Sequence, residues 1–213
     1  MVTYSSKIKT KTGDYFSFCN NFVIFLLTNI AKYDIIWCML GTLKISRGTA
    51  KGKSLQIPDK NITRPTTNKI RQAIINALQF DLQGATVLDL FAGSGAVGIE
   101  CLSAGALSCD FVDSKTAKIV RRNLDKTKLS ADVFNLDFKQ FLALYAKKYD
   151  IIFLDPPYET PFLEQAIEMI IEKDIANNYI VCETSKPDLE HNLVEKSKKK
   201  YGDKYVYFLQ KGE

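Results

Sequence analysis

The sequence predicts an α/β fold in which helices cover both faces of a doubly wound, mostly parallel sheet. Three observations indicate this class. From residue 86 onward, short apolar segments alternate with longer amphipathic ones, which is typical of parallel strands joined by right-handed helical crossovers. A glycine-rich segment follows the first of these strands, and an Asp-Pro-Pro-Tyr motif follows a later one. Because ligands bind at the carboxyl ends of strands in such sheets, both segments are expected at one edge.

A small β-hairpin and a helix are expected ahead of this alternation. Two β-prone pieces, 43–47 and 54–57, are separated by a glycine-containing turn, which favours a hairpin. The helix is predicted to open at Arg64-Pro65-Thr66-Thr67, because proline fits only a first turn and threonine caps helices. Apolar residues then recur at helical spacing: Ile70, Ile74, Ala77 and Leu78.

The alternation itself gives the order of the remaining elements. Strands are predicted over 86–90, 108–113, 133–136, 151–154 and 179–183. Helices are predicted over 96–104, 115–128, 138–147 and 161–172. Two last β-prone pieces, 193–199 and 204–209, flank Tyr201-Gly202-Asp203, so the sheet is expected to finish with an antiparallel hairpin.

We expect three parts along the chain. Residues 1–38 form an extension outside the folded unit, since Met39 stands just before the first patterned segment. Residues 39–80 hold the hairpin and helix, and 81–213 hold the sheet. The apolar run 22–27 is too short to span a bilayer, so no membrane association is expected.

Positive charge is concentrated in one stretch. Residues 41–71 carry eight basic residues against one acidic residue, a net charge of +7, so the rest sums to −2 within a total of +5. A near-neutral body with one cationic arm favours a polyanionic partner over a merely solvated basic surface. The candidate contacts to nucleic acid are Arg47, Lys51, Lys53, Arg64, Thr66 and Arg71.

The cysteines and the histidine offer no pattern for metal binding or disulfides. Five cysteines are scattered without a Cys-x-x-Cys pair, and His191 is the only histidine. No metal site is therefore expected. The cysteines are interpreted as small buried hydrophobes in a reducing compartment, so a cytoplasmic protein is expected.

The glycine-rich segment Asp89–Gly98 is a candidate cofactor loop. It spells G-x-G-x-x-G, and Asp113 lies twenty residues after Gly93, so a dinucleotide site or a plain helix-opening turn would also fit. Two carboxylates favour S-adenosylmethionine. Asp89 can hold its cationic amino-acid group, and Asp137 can accept from its adenine amine, while Asp113 takes the ribose. The candidate cofactor residues are Asp89, Phe91, Ala92, Gly93, Ser94, Gly95, Asp113 and Asp137.

The motif Asp155-Pro156-Pro157-Tyr158 closes a buried strand. The amino group of a nucleic-acid base is a poor nucleophile, because its lone pair is conjugated with the ring. The Asp155 carboxylate and the Pro156 carbonyl can hold both amine hydrogens and free that lone pair. The two prolines stiffen the wall, and Tyr158 offers a stacking face. The alternative is an Asp-Pro turn with a packed tyrosine.

These segments together resemble the RsmD-type family of 16S rRNA guanine-N2 methyltransferases. The similar stretches are I-S-R-G-T-A-K-G-K-S-L, T-R-P-T-T-N-K-I-R, D-L-F-A-G-S-G-A-V-G-I-E, F-L-D-P-P-Y and Y-V-Y-F-L-Q-K. The resemblance implies a Rossmann-like class I S-adenosylmethionine-dependent methyltransferase fold. It also implies ribosomal RNA or a small-subunit assembly as partner, and a basic hairpin that holds RNA. A monomer is expected. Residues before Met39 have no counterpart in the family.

Two other functions remain open at this point. A DNA adenine-N6 methyltransferase shares Asp-Pro-Pro-Tyr but usually carries a recognition domain for which the chain has little room. A non-catalytic RNA-binding protein could use the same scaffold, although the intact Asp89, Asp155 and Tyr158 argue against it. A protein-glutamine methyltransferase would carry Asn in place of Asp155.

Overall fold

A computed structural model of the protein describes residues 43–58, 68–145, 147–157 and 160–212. These residues all lie within one compact unit, Thr42–Glu213. The predicted extension 1–38, the helix opening at 64–67 and Tyr158 lie outside the described residues. The predicted boundary at residue 80, between the hairpin and helix on one side and the sheet on the other, stays a prediction.

A short hairpin and a helix precede the main sheet, as the sequence predicts. Strands β1 (Leu43–Lys44) and β2 (Ser54–Leu55) pair antiparallel, and helix α1 spans Asn68–Ala77. A ladder of two residue pairs is too small to be stable alone. The hairpin must therefore be held by other parts of the protein.

The central sheet has seven strands in the order β5-β4-β3-β6-β7-β9-β8. Its strands are β3 (Thr86–Asp89), β4 (Ser108–Val112), β5 (Asp132–Phe134), β6 (Tyr149–Leu154), β7 (Ala176–Thr184), β8 (Val194–Tyr201) and β9 (Lys204–Gln210). The first five pair in parallel, and β9 pairs antiparallel with both β7 and β8. The predicted doubly wound sheet with a terminal antiparallel hairpin is confirmed.

Four helices connect the parallel strands: α2 (Ala96–Ser103), α3 (Ala117–Thr127), α4 (Phe138–Leu144) and α5 (Phe162–Glu172). The prediction that α4 runs to residue 147 is wrong. Tyr145 has an extended backbone, with φ −118° and ψ 132°. Its ring stacks on Phe141 at 4.9 Å and meets Phe134 edge-on at 4.8 Å, so aromatic packing accompanies the end of the helix.

Two apolar clusters cover the two faces of the sheet. On one face Val87, Phe153 and Val181 pack in the same cluster as residues of β1, α1, α2 and α3. On the other face Leu88 and Ile152 pack with residues of α4 and α5. The hairpin and α1 are therefore part of the core on one face of the sheet.

Polar contacts bind the hairpin to helices of the sheet domain. Ser46 N–H donates to Glu100 Oε1 at 2.8 Å, and Ala50 N–H donates to Ser103 Oγ at 2.8 Å. Both acceptors lie on α2. Further along, the Gln56 backbone exchanges hydrogen bonds of 2.7 and 2.8 Å with the Asn123 side chain on α3. These bonds supply the stability that the short ladder lacks.

Arg71 corrects one sequence-based expectation. It was predicted to contact RNA, but its side chain is only 1% exposed. Its Nη2 donates to the Lys44 carbonyl at 2.8 Å, and its Nε lies 3.9 Å from Glu100 Oε2. Burial lowers the pKa of the guanidinium, and the Glu100 charge opposes that shift. Arg71 therefore links α1 to the hairpin and α2, and no RNA contact is available to it.

Within the described ranges, no helix is long and apolar enough to cross a membrane. The same residues contain no group of three His, Cys, Asp or Glu side chains arranged as a metal site. Cys101, Cys109 and Cys182 are buried free thiols, as the interpretation of the cysteines requires. Cys19 and Cys38 lie outside the described residues.

Candidate active site

The carboxyl ends of β3, β4, β6 and β7 border one cavity of about 340 Å³. The two motifs that the sequence singled out both line it. Phe91–Ser94 form one part of the wall and Asp155–Pro157 another, and Asp89, Asp113 and Asp137 also border the cavity. The predicted meeting of the two motifs at one sheet edge is present in the structure.

The glycines of the loop have different tasks. Gly93 lines the cavity with φ 54°, a conformation that favours glycine. Gly95, although predicted as a cofactor residue, does not line the cavity. It is the N-cap of α2 with φ 74°, and a Cβ there would lie 3.0 Å from Val120 Cγ1. Gly98 packs closer still, because a Cβ would come within 2.4 Å of the Phe111 ring. The last two glycines therefore serve helix packing.

Asp113 is held firmly by backbone N–H groups. Its Oδ2 accepts from Gly93 N–H at 3.0 Å, and its Oδ1 accepts from Lys115 N–H and Thr116 N–H at 2.7 Å each. These bonds fix the side chain across the loop. A carboxylate fixed at the end of β4 suits the two hydroxyls of a ribose.

Asp137 forms the N-cap of α4. Its Oδ1 accepts from Gln140 N–H at 2.9 Å, while Gln140 Oε1 accepts from Asp137 N–H at 3.3 Å. This reciprocal pair is a capping box, which holds the Asp137 side chain at the helix start. The acceptor predicted for adenine is thus held in place at the cavity rim.

Asp89 is a buried carboxylate of the cavity, at 5% exposure. The pKa of Asp89 is raised from 3.8 to about 7, mainly by burial and also by the charges of Asp155 and Asp113, while a 3.2 Å hydrogen bond from Gly98 N–H opposes the rise. A buried carboxylate is costly unless a positive charge compensates it. The site therefore suits a ligand with a cationic group at this point.

Aromatic rings close the side of the cavity near Asp137. The Phe91 and Phe138 rings are 5.2 Å apart, and the Phe138 and Phe162 rings are 5.3 Å apart. All three rings line the cavity. This wall offers an apolar surface for a flat heterocycle such as adenine.

Asp155, Pro156 and Pro157 follow β6 directly and line the neighbouring part of the cavity. Pro156 is buried, and the Pro157 carbonyl accepts from Thr160 Oγ1 at 2.7 Å. Asp155 is therefore preceded by a strand of the sheet and followed by a buried proline and a hydrogen-bonded turn, which hold the chain on both sides of it. The stacking role of Tyr158 stays a prediction, because that residue lies outside the described residues.

Sequence reasoning missed several cavity residues. Ile57 and Pro58 follow the hairpin, Ile74 lies on α1, and Glu183 lies near the end of β7. The position of Glu183 could have been noticed, since it belongs to the strand after Asp-Pro-Pro-Tyr. For the three apolar residues the sequence carries no such signal.

The basic residues of the hairpin precede the cavity-lining segment 57–58 in the chain. Lys51 is exposed, while Arg47 Nη2 donates to Asn76 Oδ1 at 2.6 Å and Lys53 Nζ donates to the Thr127 carbonyl at 2.6 Å. Arg64 and Thr66 lie outside the described residues. The predicted RNA contacts at these positions stay predictions.

Comparisons with known proteins agree with this geometry. The family model described as "Conserved hypothetical protein 95" matches residues 43–210. The YlbH protein of Bacillus subtilis is 36% identical over 173 residues, which cover 75% of this chain and 94% of that protein. Ribosomal RNA small subunit methyltransferase D of Escherichia coli K12 is 35% identical over 133 residues, 61% of this chain and 67% of the relative.

A solved structure extends the similarity to three dimensions. The yhhF protein of Escherichia coli superposes with a TM-score of 0.72 at 28% identity, over 81% of this chain and 100% of the other. The fold and the cavity at the strand ends define a class I S-adenosylmethionine-dependent methyltransferase. Within that class, the chain belongs to the family of conserved hypothetical protein 95, the RsmD-type family.

Proposed function

We propose that the protein transfers a methyl group from S-adenosylmethionine to the exocyclic N2 amine of a guanine in 16S ribosomal RNA. The observation that carries this proposal is the single cavity that joins Asp155-Pro156-Pro157 to the carboxylates Asp89 and Asp113. The relatives that carry the name of a small-subunit rRNA methyltransferase support the substrate class.

The lining of the cavity suits the cofactor in charge and polarity. Asp89 would hold the cationic amino-acid group, Asp113 the ribose and Asp137 the adenine amine, and Phe91 and Phe138 would provide the apolar wall beside the adenine. When bound, the cofactor supplies an electrophilic methyl group on a sulfonium.

The amine that receives the methyl group is activated when its two hydrogens form hydrogen bonds to the protein. The Asp155 carboxylate accepts one hydrogen and the Pro156 carbonyl accepts the other, so the nitrogen lone pair turns out of conjugation with the ring. With the cofactor bound, transfer of its methyl group to this nitrogen would leave the electron pair of the broken carbon–sulfur bond on sulfur. The nitrogen then loses a proton, which Asp155 can receive. The contribution is mainly positioning and electrostatics.

The RNA is held by the hairpin next to the cavity. Lys51 is exposed on the hairpin, and the segment that leaves β2 runs directly to Ile57 and Pro58 at the cavity. A strand bound there by its phosphates can deliver an unpaired or flipped base to Asp155. We propose that the substrate is either free 16S RNA or the small-subunit particle in the cytoplasm.

The test is methyl transfer from tritiated S-adenosylmethionine to RNA from cells that lack the protein. Nucleoside analysis of the labelled RNA is expected to give N2-methylguanosine from 16S RNA, with no label in 16S RNA from wild-type cells. Label in N6-methyladenosine, or in DNA, would instead support the adenine-N6 alternative. Cofactor binding without transfer to either nucleic acid would support a binding protein.

A further inference from the structure

Glu183 lies next to Asp155 at the edge of the sheet. Strands β6 and β7 pair in parallel with Leu154 opposite Cys182, so the next residue on each strand is Asp155 and Glu183. Both residues line the cavity. The two carboxylates come from separate strands but reach the same site.

The alternation of the strands sets the direction of both side chains. Phe153 and Val181 belong to one apolar cluster, and Leu154 and Cys182 to the cluster on the opposite face. Successive residues of a strand point to opposite faces. Glu183 therefore lies on the face of Val181, where the hairpin and α1 cover the sheet.

Apolar residues of the hairpin and α1, which cover this face of the sheet, also line the cavity. Leu43 from β1, Ile57 after β2 and Ile74 from α1 all line it. A flat base that entered between these apolar residues and the strand ends would meet carboxylates only along one edge. The arrangement suits a heterocycle whose edge carries neighbouring hydrogen-bond donors.

A nearby lysine favours the ionised form of Glu183. Glu183 is 5% exposed and Lys204 is 6% exposed, and Lys204 Nζ lies 4.0 Å from Glu183 Oε1. The positive charge of a neighbouring lysine opposes the effect of burial on a carboxyl group and favours the form that accepts hydrogen bonds. It repels any lone pair that is brought against it.

We propose that Glu183 determines base specificity by accepting the N1–H of guanine while Asp155 accepts from the 2-amino group. This inference rests on the proposed function. The Watson–Crick edge of guanine carries N1–H and N2–H donors side by side, whereas N1 of adenine is an acceptor. Enzymes that take a base out of its stack read this edge by hydrogen bonds. A carboxylate at the N1 position admits guanine and rejects adenine.

The experiment compares two acceptors that share the same amine. Wild-type protein and nucleoside analysis first identify the methylated guanine, and the RNA is then made with guanine or 2-aminopurine at that position. 2-Aminopurine keeps the 2-amino group, but its N1 has a lone pair in place of a proton. The missing O6 of 2-aminopurine affects the wild type and the variants alike. A change in the guanine to 2-aminopurine ratio of kcat/KM between the wild type and a variant therefore reports on the residue that faces N1.

Glu183→Gln is the informative variant, because an amide can donate to the N1 lone pair as well as accept from N1–H. We expect the guanine to 2-aminopurine ratio to fall by roughly 5- to 150-fold, as when one good hydrogen-bonding pair with a base is removed. Glu164→Gln on α5 is the matched control, since Glu164 is bonded to Lys186 and lies outside the cavity. Its ratio is expected to equal that of the wild type.

The outcomes separate the inference from the function on which it rests. If Glu183 served only as the partner of Lys204, Glu183→Gln would lower both rates alike and leave the ratio unchanged, which overturns the inference alone. A wild-type protein that labels no guanine overturns the proposed function, and the inference falls with it. Melting temperature and S-adenosylhomocysteine affinity of each variant establish that its fold and cofactor site are intact.

Discussion

The cofactor side and the acceptor side of the cavity are built in different ways. On the cofactor side, the carboxylates accept from backbone N–H groups that are mostly close in sequence, as Asp113 does from Lys115 and Thr116. The acceptor side combines strand ends with apolar residues from the hairpin and α1, such as Ile57 and Ile74. One half is fixed by local hydrogen bonds, and the other depends on packing between distant segments.

Because of this difference, we expect effects on function to be separable from effects on stability on the acceptor side of the cavity, but not on the cofactor side. A change on the cofactor side disturbs a loop and its ligand together, because the same carboxylate serves both. A change on the acceptor side should reach the chemical step while cofactor affinity is spared. The predictions below test this separation, in order of decreasing effect.

The largest effect is expected from Asp155→Ala. Asp155 accepts from an amine that gains positive charge as the reaction proceeds, so its contribution grows toward the transition state. We expect the single-turnover rate to fall by about 10²–10³, the range for removal of one preorganised electrostatic partner. S-adenosylmethionine affinity, measured by calorimetry, should stay within a few-fold of the wild type.

Asp155→Asn provides the matched comparison at that position. It keeps one acceptor oxygen at nearly unchanged volume, so partial activity is expected. A wild-type rate for Asp155→Ala would mean that Asp-Pro-Pro-Tyr is only a turn. Equal losses of rate and cofactor affinity would mean that the two sides of the cavity are not separable.

Asp113→Ala should have the opposite pattern. Loss of a charge-assisted hydrogen bond to the ribose costs about 1.5–3 kcal/mol, which is a roughly ten- to hundredfold loss of cofactor affinity. Three backbone N–H groups also lose their acceptor, so a lower melting temperature is expected too. Rates at saturating cofactor should be close to the wild type. Unchanged cofactor affinity in this variant would mean that Asp113 does not bind the cofactor.

A smaller, pH-dependent effect is expected from Asp89→Asn in the cofactor-free protein. The pKa of Asp89 is about 7 in the fold against an ordinary 3.8, so the unfolded chain loses this proton first as the pH rises. Stability of the wild type therefore falls between about pH 4 and pH 7, and that loss is absent in the variant.

The variant should melt at the same temperature as the wild type near pH 4. At pH 8 it should melt higher, by about 2–4 °C for each kcal/mol recovered, and the amide keeps an acceptor for Gly98 N–H. Its cofactor affinity should nevertheless fall, because an amide does not neutralise the cationic group. A melting difference that is independent of pH would contradict the raised pKa.

The smallest effect concerns the basic hairpin. Changing Arg47, Lys51 and Lys53 to Ala together should flatten the dependence of RNA affinity on salt, by about 0.7 in log–log slope for each phosphate that the hairpin no longer neutralises. Lys173→Ala, which removes an exposed charge after α5, is the control. Cofactor affinity should be unchanged in both. An unaltered slope in the triple variant would move the RNA-binding surface away from the hairpin.

The sequence was informative where structure is local. The cofactor loop and the Asp-Pro-Pro-Tyr turn each consist of adjacent residues whose types follow from their chemistry, so both could be located. The parallel order of the strands followed from the alternation of helix and strand. Even Gly95, which packs against Val120 and does not line the cavity, was recognised as part of the helix-opening loop.

It was uninformative where distant residues meet. Arg71 stands in a run of positive charge and was therefore predicted to be exposed, but Glu100 provides a buried partner for it. No short-range pattern could indicate that pairing. Glu183 ends a strand that the sequence predicts, but only the register of β6 against β7 shows that it lies next to Asp155.

The dependence of the hairpin on later residues has a consequence for the order of folding during synthesis. The hairpin leaves the ribosome before its partners Glu100, Ser103, Asn123 and Thr127 have been made. With only two residue pairs of its own, it cannot be stable at that stage. The segment that is translated early is thus completed late, once α3 has been added. Until then its three lysines and one arginine belong to an unstructured, positively charged segment of the nascent chain.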